Sequence, residues 1–275
     1  MIIKMQNQLF NKPFVMKFKP IFHTLKLELR LQRNKFFIFS LITIIIAFLG
    51  SFITGFHSLP WPQYSFYMSG LWWFIFTIAF STSFFFSGII CSDYKKKTGV
   101  MIIPLIKKYQ LFIGKFITNY LLTIIIAVIQ YGMMYLFGFY YYGPVFLNTP
   151  LLSLMFVLLY LLTLGALISF FSSFMPSETY VIITTLALYF FGFSMIESLI
   201  HVINPHIEPL YSLRYLYTII IQIIDPSYST YSRFDDFTNE WLFPTVYGAI
   251  LALSLQAIIF FTLTLFILKK KQIKV

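Results

Sequence analysis

Long apolar runs recur along the chain at about 36–56, 69–91, 113–139, 150–172, 179–200 and 243–268, separated by shorter polar stretches. Each run exceeds the roughly 20 residues that a helix, rising about 1.5 Å per residue, needs to cross a hydrocarbon core of about 30 Å. A backbone in lipid must satisfy its own polar groups, so each run is read as a spanning helix. Ahead of the first run, Leu25, Leu27, Leu29 and Leu31 alternate with Lys26, Glu28, Arg30 and Gln32, a strand-like period of two, while Phe18, Ile21, Phe22, Leu25 and Leu29 form a helical stripe. No second strand is available for pairing, so the helix is the expected form, lying amphipathically at the membrane surface. Residues 1–20, basic and punctuated by Pro13 and Pro20, read as a tail. Between the fifth and sixth runs, the apolar stretch 211–224 is bounded by Pro209 and Pro226 and is too short to span. It is expected to lie on, or re-enter, the outer leaflet.

The fold class expected is therefore an all-α integral membrane protein with six transmembrane helices. Residues 1–35 form a tail and interfacial helix, and residues 36–275 form one membrane domain with a large loop at 201–242. Composition agrees: 59% of residues are hydrophobic, 11% are charged and mean hydropathy is +0.82. The net charge of +11 raises nucleic acid as a partner, but the distribution of basic residues argues for topology instead. Under six spans, eighteen of the twenty Lys and Arg residues fall on the side of the termini, and only Arg214 and Arg233 on the other. The positive-inside bias makes the populated side cytosolic, with both termini there and the protein in the cell membrane. The connections at 57–68 and 140–149 lack Lys, Arg and acidic residues but hold Trp61, Tyr140, Tyr141 and Tyr142, as expected of rings at headgroup level. Cys91 stands alone, which excludes an intramolecular disulfide. The basic stretch before the first run leads into a full-length span without a small-residue cleavage pattern, so no removable signal peptide is expected.

Chemistry-bearing patterns are few. Gly114-Lys115 lacks the glycine five positions earlier and the following Ser or Thr that a phosphate loop requires; Tyr109 and Phe116 stand there. Glu197, His201, His206 and Glu208 cluster beyond the fifth run, with Glu197 and His201 one helical turn apart, and are weak candidates for a zinc or copper site. Asn204-Pro205 separates the two histidines, which favours a solvated loop end. Glu197 is the one acidic residue inside an apolar run, and such a carboxylate is a functional candidate by default. Asn119, Gln130 and Gln256 are expected to hydrogen-bond across helices. No nucleophile triad and no facing carboxylate pair appears.

Residues 92–115 form a polar, lysine-rich segment joining the second and third runs. Asp93, the pair Thr98-Gly99, the apolar run 100–103, Pro104, the basic Lys107 and Lys108, the apolar 111–113 and Gly114-Lys115 follow one another there. Together with the leading amphipathic helix and the large loop before the last span, this order resembles the permease subunit of ABC-2 type transporters. In that family the corresponding loop has an acidic residue, Gly-Thr, an apolar run, Pro, a small-then-basic pair, an apolar turn and Gly-Lys. Thr98-Gly99 is reversed here, and the lysines are more numerous. The resemblance implies a cytosolic coupling helix that docks into a separate ATPase subunit through Thr98, Gly99, Pro104, Leu105, Lys107, Lys108, Tyr109, Phe112 and Lys115. It also implies two ATPase copies, ATP and magnesium held by that partner, no cofactor on this chain, a second permease copy or paralogue, and export of a substrate. Leu105, Tyr109 and Phe112, at i, i+4 and i+7, would form the apolar edge of such a helix, and Pro104 suits its first turn. Lys95, Lys96 and Lys97 are read as a topology anchor touching anionic lipid. Three alternatives stay open: an immunity or metal-maturation permease of the same architecture, a polytopic membrane enzyme, and a secondary transporter. The last two would want ionisable groups in mid-span, which this sequence almost lacks.

Overall fold

The computed structural model describes residues 14–58, 62–95, 108–143 and 148–272. Their order is α1 (Phe14–Ser58), α2 (Gln63–Phe86), α3 (Gly88–Lys95), α4 (Lys108–Tyr142), α5 (Thr149–Phe174), α6 (Glu178–Ala187), a π-turn (Leu188–Gly192), α7 (Phe193–Ile203), α8 (Leu213–Gln222), a 3₁₀ turn (Tyr228–Thr230), strands β1 (Phe234–Asp235) and β2 (Glu240–Trp241), and α9 (Val246–Gln272). Six stretches are long and apolar enough to cross a membrane: Ile21–Ile53, Gln63–Ser92, Tyr109–Tyr142, Thr149–Phe174, Glu178–Ile203 and Val246–Lys270. The chain is a multi-pass, all-α membrane protein. Among the described residues the one departure is a small antiparallel hairpin, in which Phe234 pairs with Trp241 and Asp235 with Glu240 across a turn where Asn239 takes φ +57°.

Two sequence expectations change. The surface helix and the first span are one continuous 45-residue helix, α1. Lys, Glu, Arg, Gln and Leu are all good helix formers, and neither glycine nor proline occurs between Ile21 and Phe36, so nothing ends the helix between them. Its early part buries a polar seam, Thr24, Glu28 and Gln32, in which the Gln32 amide donates to Glu28 at 2.9 Å; Phe22, Leu27 and Leu31 stay exposed. The second concerns α8, expected either on the outer leaflet or re-entering it: Leu213, Leu216, Tyr217, Ile219, Ile220 and Ile221 are each at most 1% exposed, so the helix is packed inside the bundle and only the surface alternative falls away.

α1 and α4 run parallel, Gly114 meeting Thr24 and Ile21 at one end and Phe137 meeting Phe48 towards the other. α2 runs antiparallel to α4, with Phe74 on Tyr131 and Phe86 on Phe116 at ring-centroid distances of 5.9 and 5.2 Å. Between α2 and α3 the helix is interrupted at Ser87. There the Ser172 hydroxyl of α5 donates to the Ser87 carbonyl at 2.8 Å and accepts from the Ile90 and Cys91 amides, each at 3.2 Å. A side chain inserted into the backbone ladder is a recognised cause of such a break. Gly143, at φ +79°, follows the last turn of α4 in the left-handed conformation that commonly ends helices. At the end of the bundle nearer the termini, Lys35 of α1 pairs with Glu178 of α6 at 3.7 Å.

Candidate functional site

The chain beyond the fifth span makes a narrow V at the end of the bundle opposite the termini. α7 contributes no buried side chain, because Met195, Leu199, Val202 and Ile203 point away from the protein. It stops at Asn204, whose side chain accepts from the His206 amide at 3.0 Å, and at Pro205, which cannot continue the helical ladder. The return arm starts at Ser212, whose hydroxyl accepts from the Tyr215 amide at 3.3 Å and caps α8. α8 is then tied to the spans. The Tyr217 hydroxyl donates to the Leu71 carbonyl at 2.8 Å, the Ser153 hydroxyl donates to the Ile220 carbonyl at 2.5 Å, and Tyr131 and Ser153 share a hydrogen bond of 2.7 Å. The Gln256 amide donates to the Leu210 carbonyl at 2.9 Å. Of the three span amides, Gln256 thus bridges elements as expected, whereas Asn119 leaves both amide atoms without a partner among the described residues.

Between the arms of the V and the β1–β2 hairpin lies a cleft of about 390 Å³. Glu197, His201 and Ser194 line it from α7 and Arg214 from α8, while Tyr211 comes from the connecting segment and Trp241 from β2, over an apolar wall that includes Ile200 and Ile207. Three lining residues carry a buried polar atom with no partner among the described residues: Glu197 Oε1, the Tyr211 hydroxyl and Trp241 Nε1. Buried polar atoms are ordinarily paired, so three orphans on one cleft mark it out. The Glu197 charge and burial both push the Tyr211 hydroxyl pKa upward, burial being the larger cause. Arg214 donates to the Ser194 hydroxyl through one of its five N–H groups.

One wall of the cleft is held by a clamp. The Arg233 guanidinium pairs with Glu208 and donates through Nε to the Phe243 carbonyl at 3.4 Å, while the Tyr215 hydroxyl donates to Glu208 at 3.1 Å. Arg233 also lies 5.3 Å from the Trp241 ring centroid, and Trp241 packs edge-on against Phe234 at 5.1 Å. Burial and then Glu208 raise the Tyr215 hydroxyl pKa.

The four weak metal candidates do not converge among the described residues. Glu208 is engaged by Arg233 and Tyr215, His206 packs its ring on Phe234, and only Glu197 and His201 line the cleft. Among the described residues no group of three or more His, Cys, Asp or Glu could hold a metal ion. Asn204-Pro205 turns the chain between the histidines, which is the physical reason.

Of the predicted docking residues, Thr98, Gly99, Pro104, Leu105 and Lys107 lie outside the described residues, and Lys108 begins α4. Tyr109 is 45% exposed, but Phe112 is 2% exposed and packs on Phe116 and Phe261 at 5.9 and 5.4 Å. The apolar edge drawn through Phe112 therefore faces the protein's own last span, and Lys115 is buried as well. The sequence reading missed Tyr211, Arg214 and Trp241 as cleft residues. Scarcity was the available signal for Arg214, one of two basic residues on its side, but nothing in the local pattern joined it to Glu197. No protein-family model matches this chain, and no curated protein matches it.

Proposed function

We propose that this chain is the membrane-embedded permease subunit of an ATP-driven transporter of the ABC-2 type, working with a separate ATPase subunit present in two copies and with a second permease. The observation that carries the reading is the order of parts. A leading helix that runs into the first span, a lysine-rich segment between spans two and three, and a large loop before the last span follow one another in the order that resembles that family. The lysine-rich segment and both termini lie in the cytosol, since eighteen of twenty basic residues share that side. The part of α1 preceding the first span carries Lys26, Arg30 and Arg33, which suit anionic headgroups on the cytosolic side. The residues around 92–109 receive the ATPase. ATP-driven closure of the ATPase pair is passed through them to spans two and three and alternates access to a substrate path, in the direction of export.

The test is co-purification. An ATPase should accompany the tagged chain from membranes, and Leu105→Asp with Tyr109→Asp should abolish that association while the chain still accumulates. Association that survives both substitutions, or the absence of any ATPase from the parent preparation, refutes the reading.

A further inference from the structure

We propose that the cleft between α7, α8 and the hairpin seats the zwitterionic head of an amino-phospholipid, with its ammonium on Glu197 and its phosphate on Arg214, Trp241 and Tyr211. The inference stands apart from the ATPase-coupled reading, because binding needs neither a partner chain nor ATP.

Complementarity of charge carries the first step. Glu197 offers a buried carboxylate oxygen without a partner among the described residues, which suits an occupant that brings a hydrogen-bond donor. Beside it on the lining stand donors, the Trp241 Nε1–H, the Tyr211 hydroxyl and the Arg214 N–H groups not engaged by Ser194, together with the exposed Glu240 next to Trp241. The donors require an acceptor, and guanidinium with phosphate is among the stronger hydrogen-bonded pairs. One occupant with both poles satisfies all of them, whereas a simple cation leaves the donors idle and a simple anion faces Glu197. A volume of about 390 Å³ accepts a small polar head.

Location carries the second step. The cleft opens at the end of the fifth span, beside the uncovered apolar face of α7, where Leu199, Val202 and Ile203 are 64%, 83% and 81% exposed. A soluble zwitterion would make no use of that face. An acyl chain would lie along it while the head turns inward, and tryptophan and tyrosine suit that depth, having one apolar and one hydrogen-bonding end.

The experiment is equilibrium binding of radiolabelled lysophosphatidylethanolamine to the purified full chain in dodecyl maltoside. Lysophosphatidylglycerol, which keeps the phosphate and loses the ammonium, is the first competitor, and soluble phosphoethanolamine is the second. Saturable binding is expected, with lysophosphatidylglycerol about tenfold weaker, the discrimination worth one ion pair. Glu197→Gln should weaken the ethanolamine lipid about tenfold and erase the preference between the two lipids, and Arg214→Gln should weaken both alike. Phosphoethanolamine should displace the label only at far higher concentration, because it lacks the chain. Equal binding of the two lysolipids to the parent chain overturns the proposal, and so does a preference that persists in Glu197→Gln. Displacement by phosphoethanolamine at the same concentration as the lysolipid overturns the membrane-lipid assignment. The parent's preference alone decides the matter even where a variant fails to fold.

Discussion

Gly114 packs α4 tightly against Thr24 and Ile21 of α1, and replacing it tests that crossing. A Cβ built on Gly114 would lie 2.9 Å from Thr24 Cβ, 3.0 Å from Thr24 Cγ2 and 3.2 Å from the Ile21 carbonyl oxygen. The last of these is backbone, and Thr24 is itself only 4% exposed, so neither neighbour has room to withdraw. Overpacking of this kind costs about 1–3 kcal/mol, while alanine in place of glycine inside a helix returns about 0.5–1 kcal/mol. Gly114→Ala should therefore destabilise the chain by about 1–2 kcal/mol. The assay is reversible unfolding in mixed dodecyl maltoside and dodecyl sulfate micelles, run as a double-mutant cycle with Thr24→Gly. Removing Cβ and Cγ2 from residue 24 takes away the two nearest of these atoms, so most of the Gly114→Ala penalty should vanish in that background. A Gly114→Ala chain as stable as the parent refutes the crossing, and so does an equal penalty in both backgrounds.

Three further outcomes are expected. Arg233→Met removes the cation from Glu208, whose side chain is 21% exposed, and should cost about 1–2 kcal/mol, between the values typical of surface and of buried pairs; adding Glu208→Gln should recover much of the loss in the same unfolding assay. Asp235 accepts from the Phe237 amide at 2.9 Å and the Thr238 hydroxyl at 3.0 Å, and these bonds, the backbone one foremost, hold its carboxyl below the ordinary value of 3.8. Its contribution to the hairpin turn should be complete above pH 3.8 and disappear as pH falls through the lowered value. Limited proteolysis of the hairpin should show that acid transition in the parent and lose it in Asp235→Asn; a transition unchanged by the substitution assigns it to another group. For topology, a cysteine at Lys96 should resist an impermeant thiol reagent in intact cells and one at Asp236 should react, whereas the reverse pattern inverts the orientation.

How far the sequence could be read depended on whether a feature is one-dimensional. The six spans were, because an apolar run of sufficient length in lipid has one common outcome whatever its neighbours do. The fate of 18–35 was only half readable. Its helical stripe was real, but whether the helix bends onto the surface or runs on depends on a break signal, and none is present between Ile21 and Phe36. Its buried side is also the polar one, Thr24, Glu28 and Gln32, since α4 lies against that side. Phe112 shows the same limit: spacing put it on an edge with Tyr109, but the last span, some 150 residues later, supplies Phe261 to cover it.

What the sequence determined by itself is the membrane class, the six runs long and apolar enough to cross, and the mismatch of Gly114-Lys115 with a nucleotide loop. Each follows from composition, run length or a local motif. The tertiary structure alone decided that 213–222 turns inward, that the histidines do not converge, and that Glu197, Tyr211, Arg214 and Trp241 face one cleft. These four residues are spread over 45 positions and come from two helices, a loop and a strand. Only the packing of α8 beneath the hairpin brings them together, and no periodicity along the chain encodes that meeting.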